Sequence, residues 1–364
     1  MIKIFIVNQK KLYRFTILFY SDKSDKLLSY IKQEKNMNIS ELAEKIIDGY
    51  RLSKNDDLSF FKDCDLNELT SAADKIRAHF KGDRVDLCTI INARSGRCGE
   101  NCKFCAQSAF NNTNCEEYNF LEEDKIFAAA KENQDEGVNR FAIVTAGKSL
   151  CGEDFEKAIH AYERIHRELS IKLCASMGFI TREQFKALKK AGVTSYHHNI
   201  ETSKRNFPNI CTSHSYDMKI QTIKIAQEEG FSVCSGGIIG MGESFEDRID
   251  MALSLSELKI RSIPINALMA IPGTPLSQNK PLTEDEILRT LAMFRFINPE
   301  ANIRLAAGRK LLGSNGRRAF ESGCSATITG NMLTTSGSTI QGDIKMLSEM
   351  GRKIEIQDQD GGCC

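Results

Sequence analysis

Hydrophobic and polar positions repeat one local pattern along the chain from about residue 84 onwards. An amphipathic helical stretch ends at a glycine, and a short apolar run follows it. The stretch 183–191, for example, leads to Gly192 and to the strand-like run 193–199. A glycine after a helix supplies the left-handed backbone that turns the chain into the next strand. The pattern therefore predicts alternating helices and strands.

The same pattern recurs through most of the remaining sequence. Strands are predicted at 85–92, 140–144, 172–176, 193–199, 231–234, 264–270, 302–306 and 326–328. Helices are predicted between them, for instance at 126–136, 183–191, 220–229, 245–258, 283–296 and 317–322. About eight strand–helix units in roughly 240 residues match the size and period of a (β/α)8 barrel. The predicted fold class is therefore α/β, a TIM-type barrel with an N-terminal helical extension. A doubly wound open sheet is the alternative, because a unit is easily missed in one sequence.

Four segments divide the chain. Met37 opens a stretch typical of a protein start, with Ser40 as a helix cap, whereas residues 1–36 show no repeat and no clear amphipathic helix. We expect translation to begin at Met37, and a peptide from residues 1–36 in the native protein would contradict this. The expected organisation is an extension at 1–36, N-terminal helices at 37–83, the barrel at 84–335, and a C-terminal helix with a cysteine-terminated tail at 336–364.

Composition excludes several classes of protein. Lys and Arg total 49 against 48 Asp and Glu, so the chain lacks the basic excess of nucleic-acid-binding proteins. Thirteen cysteines, an odd number in a long chain without a recognisable signal peptide, argue against a disulfide framework. No apolar run reaches the roughly 18 residues of a membrane span. We therefore expect a cytoplasmic protein with reduced thiols, some of them metal ligands.

Three cysteines follow the first predicted strand with the spacing C-x3-C-x2-C: Cys98, Cys102 and Cys105. Such a loop projects from the carboxyl end of a barrel strand, where barrel enzymes place their chemistry. Three thiolates bind three irons of a [4Fe–4S] cluster and leave the fourth iron open for S-adenosylmethionine (SAM). Structural zinc is the alternative, but it prefers four ligands, usually in two pairs, and no second pair is near.

This motif, with an aromatic residue before its last cysteine, resembles the radical SAM superfamily. Further segments resemble the biotin synthase family within it, in order along the chain: 95–108, 196–202, 233–243, 264–266 with 273–276, and 303–309. The resemblance implies insertion of sulfur between two saturated carbons of dethiobiotin, giving biotin at the cost of two SAM molecules. It also implies an auxiliary iron–sulfur cluster as sulfur source, [2Fe–2S] in the usual pattern. A flavodoxin or ferredoxin-type electron donor and a homodimer follow from the same resemblance.

The auxiliary cluster in this family usually has three cysteine ligands and one arginine. Three positions match here: Cys174, Cys234 and Arg304. The fourth reads Ala142, which cannot bind iron. Arg304 is also expected to be catalytic, because an arginine inside a barrel needs a buried anionic partner and a cluster supplies one.

Two explanations of Ala142 compete, of which the first is favoured because Cys174 and Cys234 are both retained. The chain holds an altered cluster with replacement thiolates, for which the terminal Cys363 and Cys364 are candidates, or it is a non-sulfurating relative. Hydrogenase-maturation and methylornithine synthase enzymes are relatives of that kind. From another class, an iron–sulfur electron carrier or redox sensor fits less well, because carriers usually ligate all four irons with protein thiols.

Other candidate residues rest on the resemblance and on strand alternation. Asn199 and Glu201 are expected on one face of a strand, in contact with SAM or substrate, and Asn266 is expected to bind dethiobiotin. The SAM site is further expected to include Thr145, Ala146, Gly147, His214, Gly236, Gly237 and Gly240. Glu201 replaces a usual aspartate and His197 a usual asparagine. Six cysteines follow no ligand spacing and are interpreted as structural, Cys211 being the likeliest exception: Cys64, Cys88, Cys115, Cys151, Cys211 and Cys324.

Overall fold

The computed structural model describes residues 38–330 and 338–355. Within these residues the strands form one sheet. The strands are β1 Arg84–Arg94, β2 Arg140–Thr145, β3 Lys172–Ser176, β4 Val193–His197, β5 Ser232–Cys234, β6 Gly237–Ile239, β7 Ser262–Ala267, β8 Asn302–Leu305, β9 Ala326–Ile328 and β10 Lys353–Ile354. The predicted extension at 1–36 and the thiols Cys363 and Cys364 lie outside the described residues.

The sheet closes into a parallel barrel. Strand β1 pairs in parallel with β2 on one side and with β9 on the other. Both β5 and β6 pair with β7, so these two short segments together occupy one position, and the barrel has eight. Strand β10 pairs with the beginning of β1. The predicted (β/α)8 barrel is confirmed, and the open-sheet alternative is wrong.

Helices follow the strands around the outside. They are α1 Ile39–Ile47, α2 Leu66–Lys81, α3 Glu123–Asp135, α4 Gly152–Glu168, α5 Arg182–Lys190, α6 Phe207–Ile210, α7 Tyr216–Glu228, α8 Phe245–Glu257, α9 Glu284–Ile297, α10 Arg317–Phe320 and α11 Ile340–Glu349. Short 3-10 turns occur at Ser59–Lys62, Arg309–Leu311 and Ser314–Gly316. In the part of the chain that the structure describes, no helix combines the length and the apolar character needed to cross a membrane.

Local sequence accounts for where several helices begin. Thr181, Ser244 and Thr283 each form a capping box at the start of α5, α8 and α9, which satisfies two backbone groups reciprocally. Helix α9 packs against the N-terminal helices, where the rings of Phe61 and Phe296 lie 5.4 Å apart. The predicted N-terminal helices therefore cover the outside of the barrel, and its interior is left for the site.

Candidate active site in the barrel interior

A cavity of about 840 Å³ occupies the barrel interior. It extends from Cys105, in the loop after β1, to Asp86 and Arg304 near the opposite ends of the strands. Ligand pockets in proteins have volumes of roughly 300–1,000 Å³. The cavity is thus at the upper end of the usual range and connects the cysteine motif with the deep part of the barrel.

Hydrogen bonds order the loop that carries the cysteine motif. The Cys98 N–H donates to the Gln107 carbonyl at 3.0 Å. The Asn111 amide donates to the carbonyl oxygens of Cys102 and Cys105 at 3.2 and 2.8 Å. Burial raises the pKa of the Cys105 thiol to about 11, so this thiol is neutral until a metal displaces its proton. The loop holds three half-buried thiols beside one cavity, a donor set that fits a three-cysteine cluster.

A second group of polar side chains lies against this loop. Cys211 Sγ is 3.8 Å from Cys102 Sγ and 3.4 Å from His214 Nδ1. These hydrogen bonds, the one from Cys102 foremost, lower the pKa of the Cys211 thiol. His214 is also hydrogen-bonded to the buried Glu100. Cys211 is therefore a neighbour of the motif, as its proximity in sequence to the SAM-binding segment suggested. His214 contacts Glu100 and Cys211, and it is not among the described residues that line the cavity.

Asn199 and Glu201 both line the cavity, but not as members of a strand. Strand β4 ends at His197, and Glu201 has a φ of 70°, so the expected strand-face alternation is wrong at this point. A left-handed conformation in a non-glycine residue is strained and clusters at functional sites. Among the described residues, no group hydrogen-bonds Glu201 Oε2, which is buried. An unpaired carboxylate oxygen of this kind is suited to accept a hydrogen bond from a ligand.

Backbone packing explains the glycines after β5. A methyl group at Gly236 would lie 1.9 Å from the Pro264 carbonyl oxygen, and one at Gly237 would lie 2.3 Å from the Glu201 carbonyl oxygen. Gly240 has a φ of 95°. Of the described residues in this segment, the cavity wall includes Ile238 and none of the three glycines. The reason for glycine is thus close backbone contact at Gly236 and Gly237 and a positive φ at Gly240. Their expected proximity to adenosine stays a prediction.

Two other predicted positions are held by backbone contacts. Asn266 lines the cavity, donates to the Gly237 carbonyl and accepts from the Ala307 N–H, each at 3.1 Å. At the end of β2, Arg94 donates to the Ala146 carbonyl at 2.6 Å. Of the residues that the structure describes at this strand end, Val144 lines the cavity, and the expected contacts of Thr145, Ala146 and Gly147 with SAM stay predictions.

The deep part of the cavity contains an ion-pair network that the sequence did not predict. Arg304 Nη2 lies 2.8 Å from Asp86 Oδ1, and Arg140 Nη2 lies 3.4 Å from Asp86 Oδ2. Burial by itself raises the pKa of Asp86, but the two guanidinium groups lower it to about 2. Asp86 is therefore a buried anionic partner of Arg304 within the protein, and the expected contact of Arg304 with a cluster stays a prediction.

Three thiols face the same region. Cys174 and Cys234 line the cavity as predicted, and Cys234 Sγ lies 3.3 Å from Ser262 Oγ. Cys88 lines it too, although its position in the sequence follows no ligand spacing. The signal for Cys88 and Asp86 is the alternation along β1, where Asp86, Cys88 and Ile90 all face the cavity. Burial raises the pKa values of Cys88, Cys174 and Cys234.

Comparisons with known proteins agree with this geometry. The family model of the radical SAM superfamily matches residues 93–255, and that of the Biotin and Thiamin Synthesis associated domain matches residues 264–353. The chain is 59% identical to the biotin synthase of Alkaliphilus metalliredigens over 315 residues, covering 86% of this chain and 99% of the relative. It is 57% identical to that of Clostridium beijerinckii, covering 87% and 100%.

Solved structures show the same fold. Methylornithine synthase superposes with a TM-score of 0.75 at 21% identity, covering 86% of this chain and 97% of that structure. HydG, a maturase of the [FeFe]-hydrogenase, superposes with a TM-score of 0.71 at 17% identity, covering 90% and 78%. The radical SAM superfamily implies a [4Fe–4S] cluster and SAM as cofactors. The cysteine motif, the barrel and the identity to its relatives show that the chain belongs to the biotin synthase family of the radical SAM superfamily.

Proposed function

We propose that this chain is a biotin synthase that inserts sulfur into dethiobiotin, using SAM bound at the cysteine motif and an auxiliary iron–sulfur cluster deep in the barrel. One observation carries the proposal. A single cavity connects the motif cysteine Cys105 with a second set of thiols, Cys174 and Cys234, and with Arg304. A second thiol set that faces the same cavity is the arrangement that a sulfur-donating cluster within reach of a bound substrate requires.

The motif end of the cavity suits SAM. Cys98, Cys102 and Cys105 would hold the [4Fe–4S] cluster, and the buried Oε2 of Glu201 would accept a hydrogen bond from SAM. Asn199 is held in place because its Oδ1 accepts from the Gly236 N–H at 3.0 Å. When bound, the cluster and SAM supply a 5′-deoxyadenosyl radical, and the protein supplies position and exclusion of water.

The deep end suits the auxiliary cluster. Cys174, Cys234 and Arg304 would hold it. Asp86 fixes the direction of the Arg304 guanidinium, together with the Thr327 carbonyl, which accepts from Arg304 Nη1 at 2.9 Å. Each cysteine would lose its thiol proton to solvent as iron binds.

The middle of the cavity suits the substrate. Ile90, Val144 and Ile238 form an apolar part of the wall, which would pack against the hydrocarbon chain of dethiobiotin. Asn266 is positioned on both sides by backbone groups, so its amide would present a fixed polar edge to the substrate. A low-potential electron donor is required, for which a flavodoxin or a ferredoxin-type protein is the proposed class. A homodimer and a cytoplasmic location stay predictions.

An anaerobic turnover assay tests the proposal. The protein is loaded with iron and sulfide and incubated with dethiobiotin, SAM and a reductant, and biotin and 5′-deoxyadenosine are measured by mass spectrometry. We expect both products. Cys174→Ala should abolish biotin formation, whereas Cys324→Ala, which removes an equally buried thiol outside the cavity, should retain it. Formation of 5′-deoxyadenosine without biotin would contradict the proposal and favour a non-sulfurating relative.

A further inference from the structure

Cys88 lies where a replacement thiol is needed. Its side chain, with those of Ala142 and Cys174, forms a small buried cluster separate from the main hydrophobic core. All three side chains also line the cavity. Cys88 and Ala142 are 7% and 3% exposed. A thiol therefore stands beside the alanine that occupies the position of the missing ligand.

The register of the barrel explains this neighbourhood. Cys88 pairs with Arg140, and Ile90 pairs with Ala142, on the adjacent parallel strands β1 and β2. Neighbouring strands lie about 4.8 Å apart. Cys88 thus lies on the strand next to Ala142. In the register of the two strands it is two residues nearer their N-terminal ends, on the side where Asp86 and Arg304 lie. Both residues project to the same side of the wall.

The charges around Cys88 are those around the two expected ligands. Cys174 interacts electrostatically with Cys88 and Cys234, and Cys88 interacts with Cys234. Arg304 acts on all three thiols. The three sulfur atoms and one guanidinium group thus share one region of the cavity.

Other thiols of the described chain are elsewhere. Within residues 38–330 and 338–355, the cysteines of the cavity wall are Cys88, Cys105, Cys174 and Cys234. Cys105 belongs to the motif, which leaves three for the deep site. The Cys88 thiol donates to the Thr89 carbonyl at 3.5 Å. A thiol is a weak donor, so iron binding would displace little.

We propose that Cys88 supplies the thiolate ligand of the auxiliary cluster that Ala142 cannot supply. The proposal rests on the proposed function, which requires that cluster. The ligand set becomes Cys88, Cys174, Cys234 and Arg304, again three cysteines and an arginine, with one thiol moved to the adjacent strand. Ligation replaces the S–H bond of Cys88 with an S–Fe bond and releases one proton to solvent, and no electron is transferred.

The test uses the full chain without its motif cluster. In a Cys98→Ala, Cys102→Ala, Cys105→Ala background, the protein is reconstituted anaerobically with iron and sulfide. Bound iron and sulfide are counted, and Mössbauer spectra are recorded. To this background are added Cys88→Ala, the relocation pair Cys88→Ala with Ala142→Cys, and Cys324→Ala as a control for loss of a buried thiol. Thermal melting of the iron-free proteins verifies that each variant folds.

We expect the background to hold a cluster, Cys88→Ala to lose most of that iron, and both the relocation pair and Cys324→Ala to retain it. Full iron retention in Cys88→Ala would overturn the assignment of Cys88 while leaving the proposed function intact, and deletion of Cys363 and Cys364 would then be the next comparison. An iron-free background would overturn both, because no auxiliary cluster would exist. A Cys88→Ala variant that loses iron and is not rescued by Ala142→Cys would overturn the claim that the thiol has moved from position 142.

Discussion

The ion pair between Asp86 and Arg304 allows a quantitative prediction. Asp86→Asn keeps the size of the side chain and removes its charge, which leaves two guanidinium groups facing each other in the barrel. The pKa of Asp86 is lowered from its usual 3.8 to about 2. Each pKa unit corresponds to about 1.36 kcal/mol of differential interaction between the two protonation states. Because Asp86 is only 5% exposed, no discount for solvent screening is needed. We expect a loss of about 2 kcal/mol in the free energy of unfolding at pH 7.

The pH dependence follows from the direction of this pKa change. A carboxyl group with a lowered pKa in the folded state stabilises fully above its unfolded pKa. The stabilisation by Asp86 is therefore complete above about pH 4 and is lost as the pH falls toward 2. The difference between Asp86→Asn and the unmodified protein should accordingly shrink to about half by pH 3.

Urea unfolding of iron-free protein, followed by circular dichroism at pH 7, 5 and 3, measures this difference. Asp124→Asn is the matched control, because Asp124 pairs with Arg164 while its side chain is 91% exposed. An exposed pair contributes less than about 1 kcal/mol, so the control should change little. Equal stabilities of Asp86→Asn and the unmodified protein at pH 7, or a difference that does not shrink toward pH 3, would refute the reasoning.

Three further predictions concern the motif and the loops around it. Cys105→Ala should abolish SAM cleavage, seen as loss of 5′-deoxyadenosine by mass spectrometry, and should lower bound iron by about four atoms per chain. Glu201→Gly should weaken SAM binding about tenfold in equilibrium dialysis by removing an acceptor, and unchanged SAM affinity would exclude Glu201 from the site. It should not stabilise the fold, because the relief of a φ of 70° is offset by loss of the buried ion pair with Lys219 at 3.8 Å. Gly236→Ala would place a methyl group 1.9 Å from a carbonyl oxygen, so it should lower the free energy of unfolding, measured by thermal unfolding, by at least about 2 kcal/mol. Gly313→Ala is the control: its methyl would lie 3.6 Å from the nearest side chain, and the free energy of unfolding should change by less than about 0.5 kcal/mol.

The barrel could be predicted because its signals are local. Strands β2, β4, β5 and β9 each lie within a few residues of a glycine that ends a helix, at Gly137, Gly192, Gly230 and Gly323. The predicted strand 172–176 coincides with β3, although no glycine precedes it. The cysteine motif could be predicted for the same reason, since its three ligands lie within one loop. The role of the glycines after β5 was harder to predict. Gly236 is needed because the carbonyl of Pro264, on a neighbouring strand, leaves no room for a side chain.

The deep site could be predicted only in part because it is made by barrel closure. Asp86, Arg140 and Arg304 are far apart along the chain. The parallel pairing of β1 with β2 and β9, and of β9 with β8, brings them together. The register of β1 against β2, which sets Cys88 beside Ala142, has no short-range signal. Glu201, with its left-handed backbone, likewise forms a bridge to Gly237 on the neighbouring strand, and alternation along a strand did not indicate this conformation.

The central claim is that sulfur reaches dethiobiotin from a cluster held in this cavity. The most direct measurement is a single turnover with protein reconstituted from ³⁴S-labelled sulfide, incubated with unlabelled dethiobiotin, SAM and reductant, and analysed by mass spectrometry of the product. We predict biotin that carries ³⁴S, at no more than about one molecule per chain. Unlabelled biotin, or 5′-deoxyadenosine with no biotin at all, would contradict the account.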